Sequence, residues 1–108
     1  MDTVKSYRDF KKAYDNGKSF GNRNLVLYVR KNGLDHSRLG ITVSKKTGNA
    51  VIRNKIKRRV REIYRECEDD LKTGYDYVFI IRRNVPNISF DELRGSFYHI
   101  IKISKIRK

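Results

Sequence analysis

The segment Asp76-Tyr77-Val78-Phe79-Ile80-Ile81-Arg82 constrains the fold more than any other. Its five middle residues are all large and apolar or aromatic, without the alternation of a half-exposed strand. Such a run reads as a strand buried on both faces, inside a sheet with helices packed on it. Two alternating stretches supply its neighbours. Leu25 to Arg30 sets Leu25, Leu27 and Val29 against Val26, Tyr28 and Arg30. Arg38 to Ser44 sets Leu39, Ile41 and Val43 against Gly40, Thr42 and Ser44, a small and polar face that reads as low and open. A brief strand near Ser19-Phe20 completes the set.

Three helical segments separate these strands. Ser6 caps the first, Tyr7, Phe10 and Tyr14 recur on one face, and Asn16-Gly17 stops it. The second runs from Val51 to Cys67. The third opens with Ser89-Phe90-Asp91-Glu92 and buries Leu93, Phe97, Ile100 and Ile101. The expected fold is a small α+β sandwich of order α-β-β-(β)-α-β-α, one domain over residues 1–108. Its sheet is mostly antiparallel, with one strand–helix–strand crossover from Arg38 to Arg82.

Charge sets the class of partner. Lys and Arg number 26 against 12 Asp and Glu, a net charge of +14. A core needs no such excess, and self-repulsion disfavours the compact state unless a polyanion offsets it. No acid occurs from His36 through Arg61, a stretch with nine Lys and Arg. On a helix with Arg53 at zero, Ile56, Val60, Ile63, Tyr64 and Cys67 share one apolar face. Asn54, Lys57, Arg58, Arg61 and Arg65 form an acid-free flank beside it. Lys55, Arg59, Glu62 and Glu66 form a mixed flank opposite, which reads as laced by salt bridges. A helix that only had to be solvated would intersperse signs on both flanks. The asymmetry points to nucleic acid.

Other chemistry has little support. The acids are scattered, so a protein-only nuclease lacks clustered carboxylates, and His36 and His99 read as surface residues. Cys67 lies on the apolar face and reads as core. A membrane-surface role lacks a free apolar helix face. A ribosomal-protein-like RNA binder would explain charge and fold equally well. No leader-like apolar run follows the first residues, and cytoplasm is the expected location.

The stretch Arg38-Leu39-Gly40-Ile41-Thr42-Val43-Ser44-Lys45-Lys46-Thr47-Gly48-Asn49-Ala50-Val51-Ile52-Arg53-Asn54-Lys55-Ile56-Lys57-Arg58 resembles the signature of the bacterial ribonuclease P protein family. Asp9-Phe10, Gly17-Lys18-Ser19, Arg23, Leu27-Tyr28 and Asp76-Tyr77 follow in the family's order. The pattern departs at Lys55, where the family usually carries Arg.

The resemblance implies a left-handed crossover through the basic helix. It implies a partner RNA subunit that carries catalysis with Mg2+, no cofactor held by the protein alone, and one protein per RNA. It implies that Ser44, Lys45, Lys46, Asn49, Arg53, Asn54, Lys55, Lys57, Arg58 and Arg61 meet that RNA, and the acid-free flank adds Arg65 to them. It also implies a cleft for the 5′ leader of precursor tRNA, lined by Phe10, Tyr14, Val26 and Tyr28 and bordered by Lys57 and Arg61. Aromatics beside cations suit single-stranded RNA, although core packing would equally explain Phe10 and Tyr14.

Overall fold

The computed structural model describes residues 1–108. In chain order the elements are β1 (Asp2–Thr3), α1 (Tyr7–Asn16), β2 (Lys18–Gly21), β3 (Leu25–Lys31), β4 (Arg38–Thr42), α2 (Ala50–Cys67), β5 (Tyr75–Ile81) and α3 (Phe90–Ser104). Short 3-10 turns follow α2 and β5. The sheet order is β1-β4-β5-β3-β2, so the doubly apolar segment is the central strand. It runs antiparallel to β3 and parallel to β4. The hairpin β2–β3 and the two-residue parallel pair β1–β4 complete a mixed sheet.

Strand alternation divides the core in two. Leu25, Leu27, Leu39, Tyr77, Phe79 and Ile81 point to one face. They meet Ile56, Val60, Ile63, Tyr64 and Cys67 of α2 and Leu93, Phe97, Ile100 and Ile101 of α3. Phe79 and Phe97 stack at 4.6 Å between ring centroids. Burial pushes the Cys67 thiol up to about 11, so it stays protonated and packs as a small apolar group. On the other face, Val78 joins Val4 and Ala13, with Phe10, Tyr14 and Tyr28 packed around them. Helix α1 therefore covers one face and the pair α2–α3 the other.

The helix ends follow local chemistry. Ser6, Asn49 and Ser89 cap α1, α2 and α3 by accepting hydrogen bonds from the amides of Asp9, Ile52 and Glu92. At Gly17 a Cβ would lie 2.5 Å from the Ala13 carbonyl oxygen and 3.0 Å from that of Val29, so only glycine lets the chain turn from α1 into β2.

The hand of the β4–α2–β5 crossover follows from chirality. The side chain of Leu39 faces α2, and its carbonyl accepts from the Val4 amide toward β1 (2.9 Å). For an L-residue seen with its side chain toward the viewer and the chain rising, N–H and C=O lie to the right. Viewed from α2, β1 is thus right of β4 and β5 is left of it. The chain rises along β4, returns in front through α2 and rejoins the sheet on the left. The crossover is left-handed, against the general rule and as the family resemblance implied. The Gly74 carbonyl, bonded to Asn32 of the strand β3 side, gives the same order from the other face.

One end of the α1 face is polar. Arg30, Asp76 and Arg38 lie in one cross-strand row. The Asp76 side chain is fully buried. Arg38 donates to both its oxygens (2.8 and 2.7 Å), Arg30 to Oδ2 (3.2 Å) and Asn32 to Oδ1 (3.0 Å). Arg38 also reaches Asp9 on α1 at 3.3 Å. Burial alone would push the Asp76 carboxyl up. The hydrogen bonds from Arg38 and Asn32, with the charges of Arg38 and Arg30, outweigh it and hold the group below its ordinary value. At the surface nearby, His36 bridges Asp2 and Asp35, each at 2.9 Å.

Asp76→Ala strands two part-buried guanidinium groups and should destabilise the fold by about 3–5 kcal/mol, read as a lower urea midpoint. Because the folded carboxyl is depressed, its contribution is present above the ordinary value of 3.8 and is lost as pH falls through the folded value. The variant should therefore lose less stability than wild type on acidification through that range. An unchanged midpoint at neutral pH contradicts the assignment.

Candidate nucleic-acid interface

Six residues separate the end of β4 from Asn49, the cap of α2, and a tight turn lies among them. The Thr47 amide donates to the Ser44 carbonyl (3.0 Å) and Thr47 is buried. This leaves Ser44, Lys45 and Lys46 exposed at the tip. Arg53 folds back and donates to the Gly48 carbonyl at 2.9 Å, bracing the turn against the helix.

The two flanks of α2 differ in the structure as they do in the sequence. Arg59 sits over the Phe90 ring at 5.5 Å, and Glu66 takes a 2.9 Å ion pair from Arg94 and a hydrogen bond from the Tyr98 hydroxyl. That flank is therefore docked to α3. The expectation of salt bridges along the helix itself needs correcting: the partner of Glu66 comes from α3, because the packing of α2 on α3 brings Arg94 alongside. Asn54, Lys57, Arg58, Arg61 and Arg65 take part in no ion pair of the fold. Lys57 and Arg61 are half-buried at their stems, while Asn54, Arg58 and Arg65 are exposed. With α3 over β3 and β2, the acid-free flank lies on the β4 side, where β1 pairs only with Arg38 and Leu39.

The α1 face of the sheet carries the aromatic residues. Tyr28, Val78 and Gly40 form one cross-strand row, and Val26, Ile80 and Thr42 form the next. Phe10 rests on Gly40, where an added Cβ would lie 2.8 Å from its ring. Tyr14 meets Tyr28 edge-on at 5.2 Å and hydrogen-bonds Thr42 Oγ1 at 2.7 Å. So Phe10 and Tyr14 do pack as core, yet both stay half-exposed, as do Val26, Tyr28, Ile80 and Thr42. Together they make an aromatic-walled groove beside α1, at the sheet end where the Ser44–Lys46 turn emerges.

Two expectations are corrected here. Gly40 is not open surface, because the Phe10 ring covers it; of that face Thr42 stays half-exposed and Ser44 exposed. Tyr7 does not share the packed face of α1, since Ala13 is the fully buried residue and the helix is rotated toward it, leaving Tyr7 79% exposed. Ile80 was missed as a groove residue, although its place two after Val78 put it on that face. No three His, Cys, Asp or Glu side chains converge to hold a metal ion, and no helix is long and apolar enough to cross a membrane.

Comparison with known proteins bears on this arrangement. The ribonuclease P family model matches residues 2–105. The chain is 41% identical over 106 residues to the ribonuclease P protein component of Listeria welshimeri, covering 97% of this chain and 89% of that one. It is 42% identical over 104 residues to that of Clostridioides difficile, covering 95% and 91%. The solved Staphylococcus aureus RNase P protein superposes with a TM-score of 0.93 at 38% identity, over 100% of this chain and 99% of that one. The Thermotoga maritima protein gives 0.84 at 38% identity, over 94% and 96%. The mixed five-stranded sheet with one helix on one face and two on the other is thus the fold of bacterial RNase P proteins. The chain belongs to the ribonuclease P protein component family, whose place is in tRNA processing as the partner of the RNase P RNA.

Gly40→Ala should push the Phe10 ring off β4 and loosen α1, at a cost of about 1–3 kcal/mol. Hydrogen exchange of the Ala13 and Tyr14 amides should rise while that of α3 is unchanged. Equal protection in both proteins contradicts the contact.

Proposed function

We propose that this chain holds the catalytic RNA of ribonuclease P along the acid-free flank of α2 and its lead-in turn. In this reading Ser44, Lys45, Lys46, Asn49, Arg53, Asn54, Lys55, Lys57, Arg58, Arg61 and Arg65 face that RNA. Phe10, Tyr14, Val26 and Tyr28 receive the single-stranded 5′ leader of precursor tRNA, with Lys57 and Arg61 beside it.

The observation that carries the reading is the division of α2. One flank engages α3 through Arg59 and Glu66; the other presents cations with no ion-pair partner in the protein. Such cations serve phosphates, which position a bound RNA. Half-exposed rings beside them give bases a stacking surface that is tolerant of sequence.

The protein's share of the reaction is binding and orientation. Cleavage belongs to the RNA subunit with Mg2+, and the carboxylates that a protein nuclease would gather around metals are spread over this surface. Lys55 keeps the charge of the usual arginine but not its planar fork, so this contact is a point charge. One protein per RNA is the expected stoichiometry.

The purified protein should leave precursor tRNA intact. Added to its RNA subunit, it should raise leader removal at low Mg2+. Lys57→Ala and Arg61→Ala should each weaken binding of the RNA and lower its salt slope by about 1, and Arg59→Ala less. Cleavage by RNA-free protein, or equal losses for all three variants, contradicts this reading.

A further inference from the structure

A second groove lies on the other face of the sheet, at its opposite end. Helix α3 ends at Ser104, beside the last two rungs of the sheet. One of them pairs Lys18 with Val29 and the next pairs Lys31 with Tyr75. Paired residues point to the same face, so Lys18, Phe20, Val29, Lys31 and Tyr75 all project toward the α3 side. They line a cleft of about 410 Å3. Phe20, Val29 and Tyr75 are half-buried and form its floor, and Tyr75 stacks on Tyr77 at 6.0 Å with 21° between the planes. Lys18, Lys31, Lys72 and Lys105 rim it, and no acid lines it.

Lys105 supplies an independent observation. It caps α3 with φ 56° and ψ 40°, and it is the one residue other than glycine with positive φ. Glycine normally fills that position because a Cβ is disfavoured there. A lysine held in a left-handed conformation at the mouth of a cleft is the kind of outlier that points to use.

We propose that this cleft is a second RNA site, taking an unpaired nucleotide: the base on the Phe20–Tyr75 floor and the flanking phosphates on Lys18, Lys31 and Lys105. Charge selects a polyanion, and the half-exposed rings select one that carries flat bases. The cleft sits on the α3 face, away from the α1 groove, so one RNA could not reach both without wrapping the sheet. It stands or falls separately from the leader reading.

The test is an NMR titration of the full chain with hexaadenylate at low salt. The signals of Phe20, Val29 and Tyr75 report this cleft, and those of Val26 and Thr42 report the α1 groove. Saturable shifts at the first set are expected. The double variant Lys31→Glu/Lys105→Gly should weaken them about tenfold or more by losing two phosphate contacts, while the second set still responds. Its thermal midpoint should not fall, because glycine relaxes the left-handed cap. Stationary signals at Phe20, Val29 and Tyr75 would overturn the proposal, as would an undiminished response in the double variant. Equal shifts with hexaglutamate would show an anion patch that ignores bases. Adenosine monophosphate binding as tightly as the hexamer would assign a free-nucleotide pocket instead. Either result refutes an RNA site.

Discussion

The carboxylate of Asp76 is the point on which the rest of this structure leans. It is fully buried, and Arg38, Arg30 and Asn32 surround it. The cluster locks β3, β4 and β5 together at one end and reaches α1 through the Arg38–Asp9 pair. A buried charge is costly unless every oxygen is satisfied. Here each is, so the cost is turned into register: shifting any of the three strands by one residue would strand a charge. Helix α1 is thereby held over the middle of the sheet, and the Val26–Ile80–Thr42 row beyond it stays half-exposed. The groove exists because the anchor is at the far end.

The opposite face obeys a different constraint. Helices α2 and α3 share one hydrophobic core, and their contact consumes Arg59 and Glu66 of α2. With α3 over β3 and β2, α2 takes the β4 side of that face. Its remaining cations then lie along the side where β1 covers only the first two residues of β4. Fold and charge agree: the flank that packing does not use is the flank without acids.

Much of this was legible in the chain. The apolar run at Tyr77–Ile81 marked the central strand, alternation marked β3 and β4, and Ser6 and Ser89 marked helix starts. The apolar face of α2 is the buried one, residue for residue. What escaped was non-local. Strand β1 has two residues, too few to show a period. The partner of Glu66 lies 28 residues away on α3. Gly40 looked open because nothing in its neighbourhood announces that Phe10 will rest on it. The polar row joins Arg30, Arg38 and Asp76, distant in sequence and adjacent only after pairing. The crossover hand came from the family resemblance, since alternation alone favours no hand and general rules favour the other. The roles of individual cations toward RNA rest on placement and on that resemblance.

The central claim is that the acid-free flank of α2 touches phosphate. Its most direct test is the salt dependence of binding to the RNase P RNA. Each phosphate contact contributes roughly 0.7–0.9 to the slope of log affinity against log salt. With about six contacts, affinity should fall on the order of 10³-fold between ~50 and ~200 mM salt. The double variant Lys57→Ala/Arg61→Ala should lower the slope by roughly 1.4–1.8. A slope equal to that of the wild-type protein would show that these side chains meet no phosphate, and the account would be wrong at its centre.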